Sequence, residues 1–211
     1  MKRLLVKALR LVQRNRRAYV VINVVFYGLV IVGALAVVLF PEVQQFLLKQ
    51  IRHGLSQGRL RVIAEAYREG RVLATIGLTF AANLFMGALA AVTIPSLLVP
   101  FSGLAIGLLR SLLWGLVLSP ADPHLRWAMI PHAGTLLLEG QAYVLAMLAA
   151  YIHGKAWLSP RSVGEQTHSR GYLSGLKSTA SIYVLVVVVL AVAAIYEALE
   201  VIYLAPLLIQ R

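Results

Sequence analysis

The chain contains no cysteine. That absence excludes disulfide frameworks, thiolate zinc sites, iron–sulfur clusters and cysteine nucleophiles, and it leaves no redox compartment to be read. Charge is also scarce: 13% of the 211 residues are Asp, Glu, Lys or Arg while 60% are hydrophobic, which excludes an ordinary soluble domain. Signatures of catalysis are missing too. There is no HExxH, no GxxxxGK[ST] phosphate loop and no paired acidic motif of intramembrane proteases, and Pro100-Phe101-Ser102-Gly103 lacks the first glycine of a GxSG turn. The sequence is therefore read as non-enzymatic, with no cofactor and no metal.

What is present is apolar sequence in runs of span length. About 20 residues at 1.5 Å rise cross a hydrocarbon core of about 30 Å. The runs lack the alternation of a barrel strand, so each reads as a helix that satisfies its own backbone. The expectation is an all-α polytopic membrane bundle of about five transmembrane helices with amphipathic interfacial helices. Residues 1–17 form a basic amphipathic anchor and 18–40 the first span, which starts near Tyr19 and stops at Pro41. Residues 41–71 form an interfacial hairpin, its apolar stripes broken by Gly54 and Gly58.

Residues 72–211 hold the remaining four spans. They run from Val72 to Thr93; from a turn at Ile94 to Ser96 up to Leu118; from Met129 to Tyr151; and from Ser178 almost to Arg211. Ser119 to Arg126 reads as a loop by its prolines and aspartate, and Gly154 to Lys177 as a polar segment.

Net charge is +12, with 20 Lys and Arg against 8 acids. Because the basic residues flank apolar runs, lipid headgroups and orientation explain them better than nucleic acid, for which no binding module is present. An N-terminus on the inner side places 11 basic residues inside (Lys2, Arg3, Lys7, Arg10, Arg14, Arg16, Arg17, Lys155, Arg161, Arg170, Lys177) and 8 outside. The expected location is a prokaryotic plasma membrane, multi-pass, with a cytoplasmic N-terminus.

Ionisable residues inside spans cost about 2.5–3.5 kcal/mol each on insertion scales, so they mark candidate sites. Arg110 and Glu139 lie near the centres of consecutive spans and are depth-matched for pairing. His132, Thr135 and Glu139 share a helix face that continues through Ala146 toward His153, but two-turn spacing of His132 and Glu139 does not suit a metal. Glu197 needs a partner, by depth Arg110, His132 or a second subunit, whereas Glu200 can reach the interface. Asn83 completes the polar set. Gly103, Gly107, Ser111 and Gly115 put a small residue at every fourth position of the third span, and Gly87 with Ala91 repeats the device. Such rows serve either neighbours within the chain or a homo-oligomer.

Two stretches, MIPHAGTLLLEGQAYVLAMLAAYIHGKAW with Pro131, His132, Gly134 and Glu139, and AVAAIYEALE with Glu197, carry a family likeness. With LTFAANLFMGALAAV and FSGLAIG, which place Asn83, Gly103 and Gly107, the chain resembles the stage II sporulation protein M family of prokaryotic membrane proteins over roughly Val72 to Leu204. The family usually sets glycine directly after the histidine and glutamate one turn on; here Ala133 intervenes and Glu139 lies two turns on. The resemblance implies a non-catalytic membrane scaffold or subunit of an envelope complex, partnered by the bilayer and other envelope proteins. A permease-type subunit served by a separate ATPase is the alternative, and an intramembrane hydrolase the third class.

Overall fold

The computed structural model describes residues 2–57, 61–121 and 126–209. Gly58, residues 122–125 of the expected loop, and Arg211 lie outside them. Among the described residues the chain is helical, without strands. We number the helices α1 (Lys2–Arg14), α2 (Arg16–Leu39), α3 (Pro41–Gln57), α4 (Arg61–Arg68), α5 (Val72–Leu98), α6 (Ser102–Val117), α7 (Met129–Leu158) and α8 (His168–Leu208).

Helices α2, α5, α7 and α8 are long and apolar enough to cross a membrane. Helix α6 has 16 residues, about 24 Å, and falls short of a full span. It is short because the turn comes later than its sequence suggests. Instead of ending before Pro95, α5 continues to Leu98, and the reversal occurs at Val99–Phe101, where Phe101 adopts φ 66° and Ser102 Oγ donates to Val99 O at 2.9 Å. Pro95 is tolerated because α5 is wound as a π-helix over Ala82–Thr93. The proline then falls in the first turn of the α-helical stretch that follows, where a missing N–H costs least.

Helix α7 is the axis of the bundle. In its span window 72% of residues are buried, against 22–33% in α2, α5 and α8, so α7 is surrounded by protein while the others turn a side to lipid. It packs most closely on α8, and α2 pairs with α6. The small-residue row makes the second pairing possible. A Cβ on Gly115 would strike the Val30 carbonyl, and one on Gly33 would meet the Gly115 Cα at 3.1 Å. Gly103 lies on the Val92 backbone and Gly107 on Met147, and Ser111 is buried with them. All four positions are spent within the chain, so this row offers no face to a second copy.

The amphipathic elements sit at opposite ends. Helix α1 bends away from α2 at Asn15 and packs on α8 beside Ser174 and Ser178, at the end that also holds Lys155. Helix α8 begins at His168, ten residues before its apolar run, and so gives α1 a surface to pack on. At the other end, Gln44 of α3 donates to Val117 O (3.0 Å) and Ser119 O (2.9 Å), satisfying carbonyls that the end of α6 leaves open.

Two glycines test the packing. Gly115→Ala is expected to lower stability by about 1–3 kcal/mol in detergent thermal unfolding, because backbone must move. Gly77→Ala, with nothing within 4 Å of its new Cβ, is expected to be neutral or to stabilise by up to about 1 kcal/mol.

A candidate polar vestibule

Polar side chains of α5, α6, α7 and α8 meet in the half of the bundle nearest α3 and α4. The outer group forms between α7 and α8. His132 and Thr135, one turn apart on α7, both face Glu200: His132 Nδ1 lies 3.1 Å from Oε2, and Thr135 Oγ1 donates to Oε2 at 2.6 Å. Glu200 is 1% exposed. It therefore does not reach the interface, and it, not Glu197, takes His132. Close approach of the helices accounts for this. Gly134 lies under the Tyr196 ring, whose hydroxyl donates to Pro131 O at 2.9 Å, and α8 rewinds to a π-helix from Glu200 to Leu204.

The inner group is a relay. Arg110 Nη2 donates to Tyr143 Oη at 3.0 Å, Tyr143 donates to Asn83 Oδ1 at 2.9 Å, and Asn83 Nδ2 donates to Glu139 Oε1. Arg110 and Glu139 are thus linked through two side chains rather than in the direct ion pair that their depths suggest. Tyr143 takes the place between them. The Arg110 guanidinium lies 4.4 Å over the Tyr143 ring and 5.3 Å from that of Trp114, a cation–π arrangement that replaces part of its lost hydration. Gly87 makes room for that tyrosine, since a Cβ there would sit 2.8 Å from Tyr143 Cε1.

Between the two groups lies a partly open cavity of about 140 Å³, lined by Arg110, Trp114, Leu118, His132, Thr135, Leu136, Glu139 and Glu197. Apolar cavities of such size stay dry, but one that presents several polar partners admits water. Two buried atoms at this lining, Arg110 Nε and Glu197 Oε2, have no protein partner and are placed to bond it. The His132 side chain is 19% exposed, which marks the mouth. From the hairpin, Tyr67 of α4 reaches in to share a 3.1 Å hydrogen bond with Thr79. Burial, and next the charge of nearby Glu197, push its hydroxyl above the usual tyrosine range, so it stays a neutral donor at physiological pH.

Beyond Glu139 the path closes. Past the Tyr143 relay, Ala142, Ala146, Met147 and Ala149 of α7 are fully buried in the apolar core, so the packing beyond the vestibule is apolar. His153 belongs to the far end, where it is buried edge-on to Tyr172 at 4.6 Å, and it has no part in the vestibule. Among the described residues no group of His, Asp or Glu is arranged to hold a metal ion.

Three contributors escape the sequence reading. Tyr143 carried a signal, lying one turn from Glu139 on the same face. Tyr67 did not, because its role depends on how the hairpin docks. Gln141 forms a separate girdle with Tyr19 (2.6 Å), Asn23 (2.6 Å) and Tyr27 (3.1 Å) that joins α2 to α7. No family model matches the chain, and no curated protein or solved structure matches it significantly.

The chain is a natural cysteine-free background for accessibility mapping. Leu136→Cys and Leu118→Cys are expected to react with a small membrane-impermeant thiol reagent at least about tenfold faster than Ala146→Cys. Equal rates at all three would remove the vestibule.

Proposed function

We propose that the protein is a non-enzymatic, multispanning subunit of an envelope complex and that its vestibule gives a small cation, foremost a proton, access to the middle of the membrane. One observation carries the reading: a partly open cavity with an ionisable lining, beside the fully buried apolar stretch of α7. Its size selects the cargo. Sites for organic solutes occupy about 300–1,000 Å³, and about 140 Å³ suits water, hydronium or a bare inorganic cation. Its lining agrees, since Glu139 and Glu197 can hold a proton in turn while His132 and Glu200 stand at the mouth. Arg110 at the floor opposes uncontrolled passage of cations. Energy for transport against a gradient would come from a partner, because the chain carries no nucleotide-binding loop.

The excess of basic residues at the α1 end supports a cytoplasmic N-terminus in a prokaryotic plasma membrane, which puts the vestibule mouth on the outer face. The likeness to the stage II sporulation protein M family agrees with a membrane subunit that has no turnover of its own. A purely scaffolding role is the second reading. It is favoured by α3, which presents Val43, Phe46 and Ile51 outward together with charge, a surface suited to another envelope protein.

Proteoliposomes with an entrapped pH indicator and an imposed potential separate the two readings. The permease reading expects a dye response above that of empty liposomes, reduced at least about tenfold by Glu139→Gln and by Glu197→Gln, with monodispersity and helical content unchanged. Identical responses from wild type, both variants and empty liposomes would leave the scaffold.

A further inference from the structure

Among the described residues, a cluster of four cations outside any ion pair lies at the opposite end from the vestibule. The turn at Asn15 separates α1 from α2 and brackets it with Arg14, Arg16 and Arg17, and the last turns of α7 bring Tyr151 and Lys155 beside them. Together they line a cavity of about 390 Å³. A second cavity of about 390 Å³ shares Arg14, Asn15 and Lys155 and continues past Leu11 and Ile152 to Ser174 and Ser178. No acid lines either cavity, and none of the ion pairs among the described residues involves these four cations. Tyr151 adds a hydroxyl to the lining, its ring lying 6.1 Å from that of Phe101.

Four cations gathered without an acid repel one another, and an anion seated among them relieves that repulsion. The depth says which anion. Arg16 and Arg17 open the first span, and Lys155 is in the last turn of α7, so the cavity lies where the helices leave the hydrocarbon. Its lining combines cations and hydroxyls with the apolar Leu11 and Ile152, the mixture that a headgroup joined to its glycerol requires. We propose that this pocket binds the phosphodiester headgroup of an anionic phospholipid from the adjoining leaflet, fixing α1 against α7 and α8. The site is independent of the vestibule and of its assigned role.

The test uses the full-length protein in non-ionic detergent and a fluorescent phosphatidylglycerol as probe. Each basic residue near an anionic headgroup contributes about fivefold in affinity, so Arg14→Gln with Lys155→Gln is expected to weaken binding about 25-fold. Arg3→Gln with Arg10→Gln removes equal charge from α1 outside the pocket and is expected to change it less than about twofold. Arg14→Lys with Lys155→Arg keeps the charges and is expected to stay within about threefold of wild type, which guards against misfolding. Equal losses in the two neutralised variants would overturn the proposal in favour of diffuse attraction. Displacement of the probe by inorganic phosphate, at concentrations where chloride of equal ionic strength does not displace it, would overturn it in favour of a free-phosphate site.

Discussion

Hydrocarbon offers no hydrogen bonds, so each polar group carried into it must find its partner inside the protein. That constraint organises this molecule. Glu139, Glu197, Glu200, Arg110, His132 and Asn83 lie within the apolar helices, and all are turned toward α7 or reach it through a neighbour. Helix α7 can act as the common partner only because it is surrounded. Its burial in turn depends on glycines: Gly134 admits Tyr196, Gly140 admits Tyr27, and Gly87 admits the Tyr143 hydroxyl. Close packing and polar satisfaction are here one device, since the small residues that let helices approach also set hydroxyls where carboxylates and amides need them.

The same logic divides the bundle lengthwise. In one half α7 carries His132, Thr135 and Glu139, and the space beside them is a partly open cavity lined by polar side chains. In the other half the residues from Ala142 to Ala150, Tyr143 apart, are apolar and buried. A structural ion pair needs neither a cavity nor unpartnered polar atoms, and replacing it with apolar side chains is often neutral or stabilising. Arg110 and Glu197 stand beside open space, each with a buried polar atom that no protein group satisfies, and the proposed cation access gives those atoms a role.

Much of the architecture was legible because lipid simplifies the code. Span-length apolar runs located α2, α5, α7 and α8, Pro41 marked the end of α2, and the charged faces of residues 41–71 kept α3 and α4 out of the list of spans. What failed did so for identifiable reasons. Pro95 read as a stop, but a π-wound segment moved it into a tolerant position and shortened α6 to less than a span. Glu197 and Glu200 were ranked on a regular helix, yet their partners were set by the crossing of α7 and α8 and by the rewinding at Glu200. Matching Arg110 and Glu139 by depth says nothing of azimuth, and Tyr143 with Asn83 stands between them. Both π-helical stretches carry a member of the polar set, Asn83 in one and Glu200 in the other, in keeping with the tendency of such windings to occur at functional sites.

The central claim is that water reaches Glu139 from one side and goes no further. Solid-state NMR of the protein in bilayers, with magnetisation transferred from mobile water to side chains, tests it directly. The account predicts strong transfer to Thr135, Glu139 and Glu197 and none to Ala146 or Met147. Absence of transfer at Glu139, or transfer to Met147 as strong as that to Thr135, would contradict it.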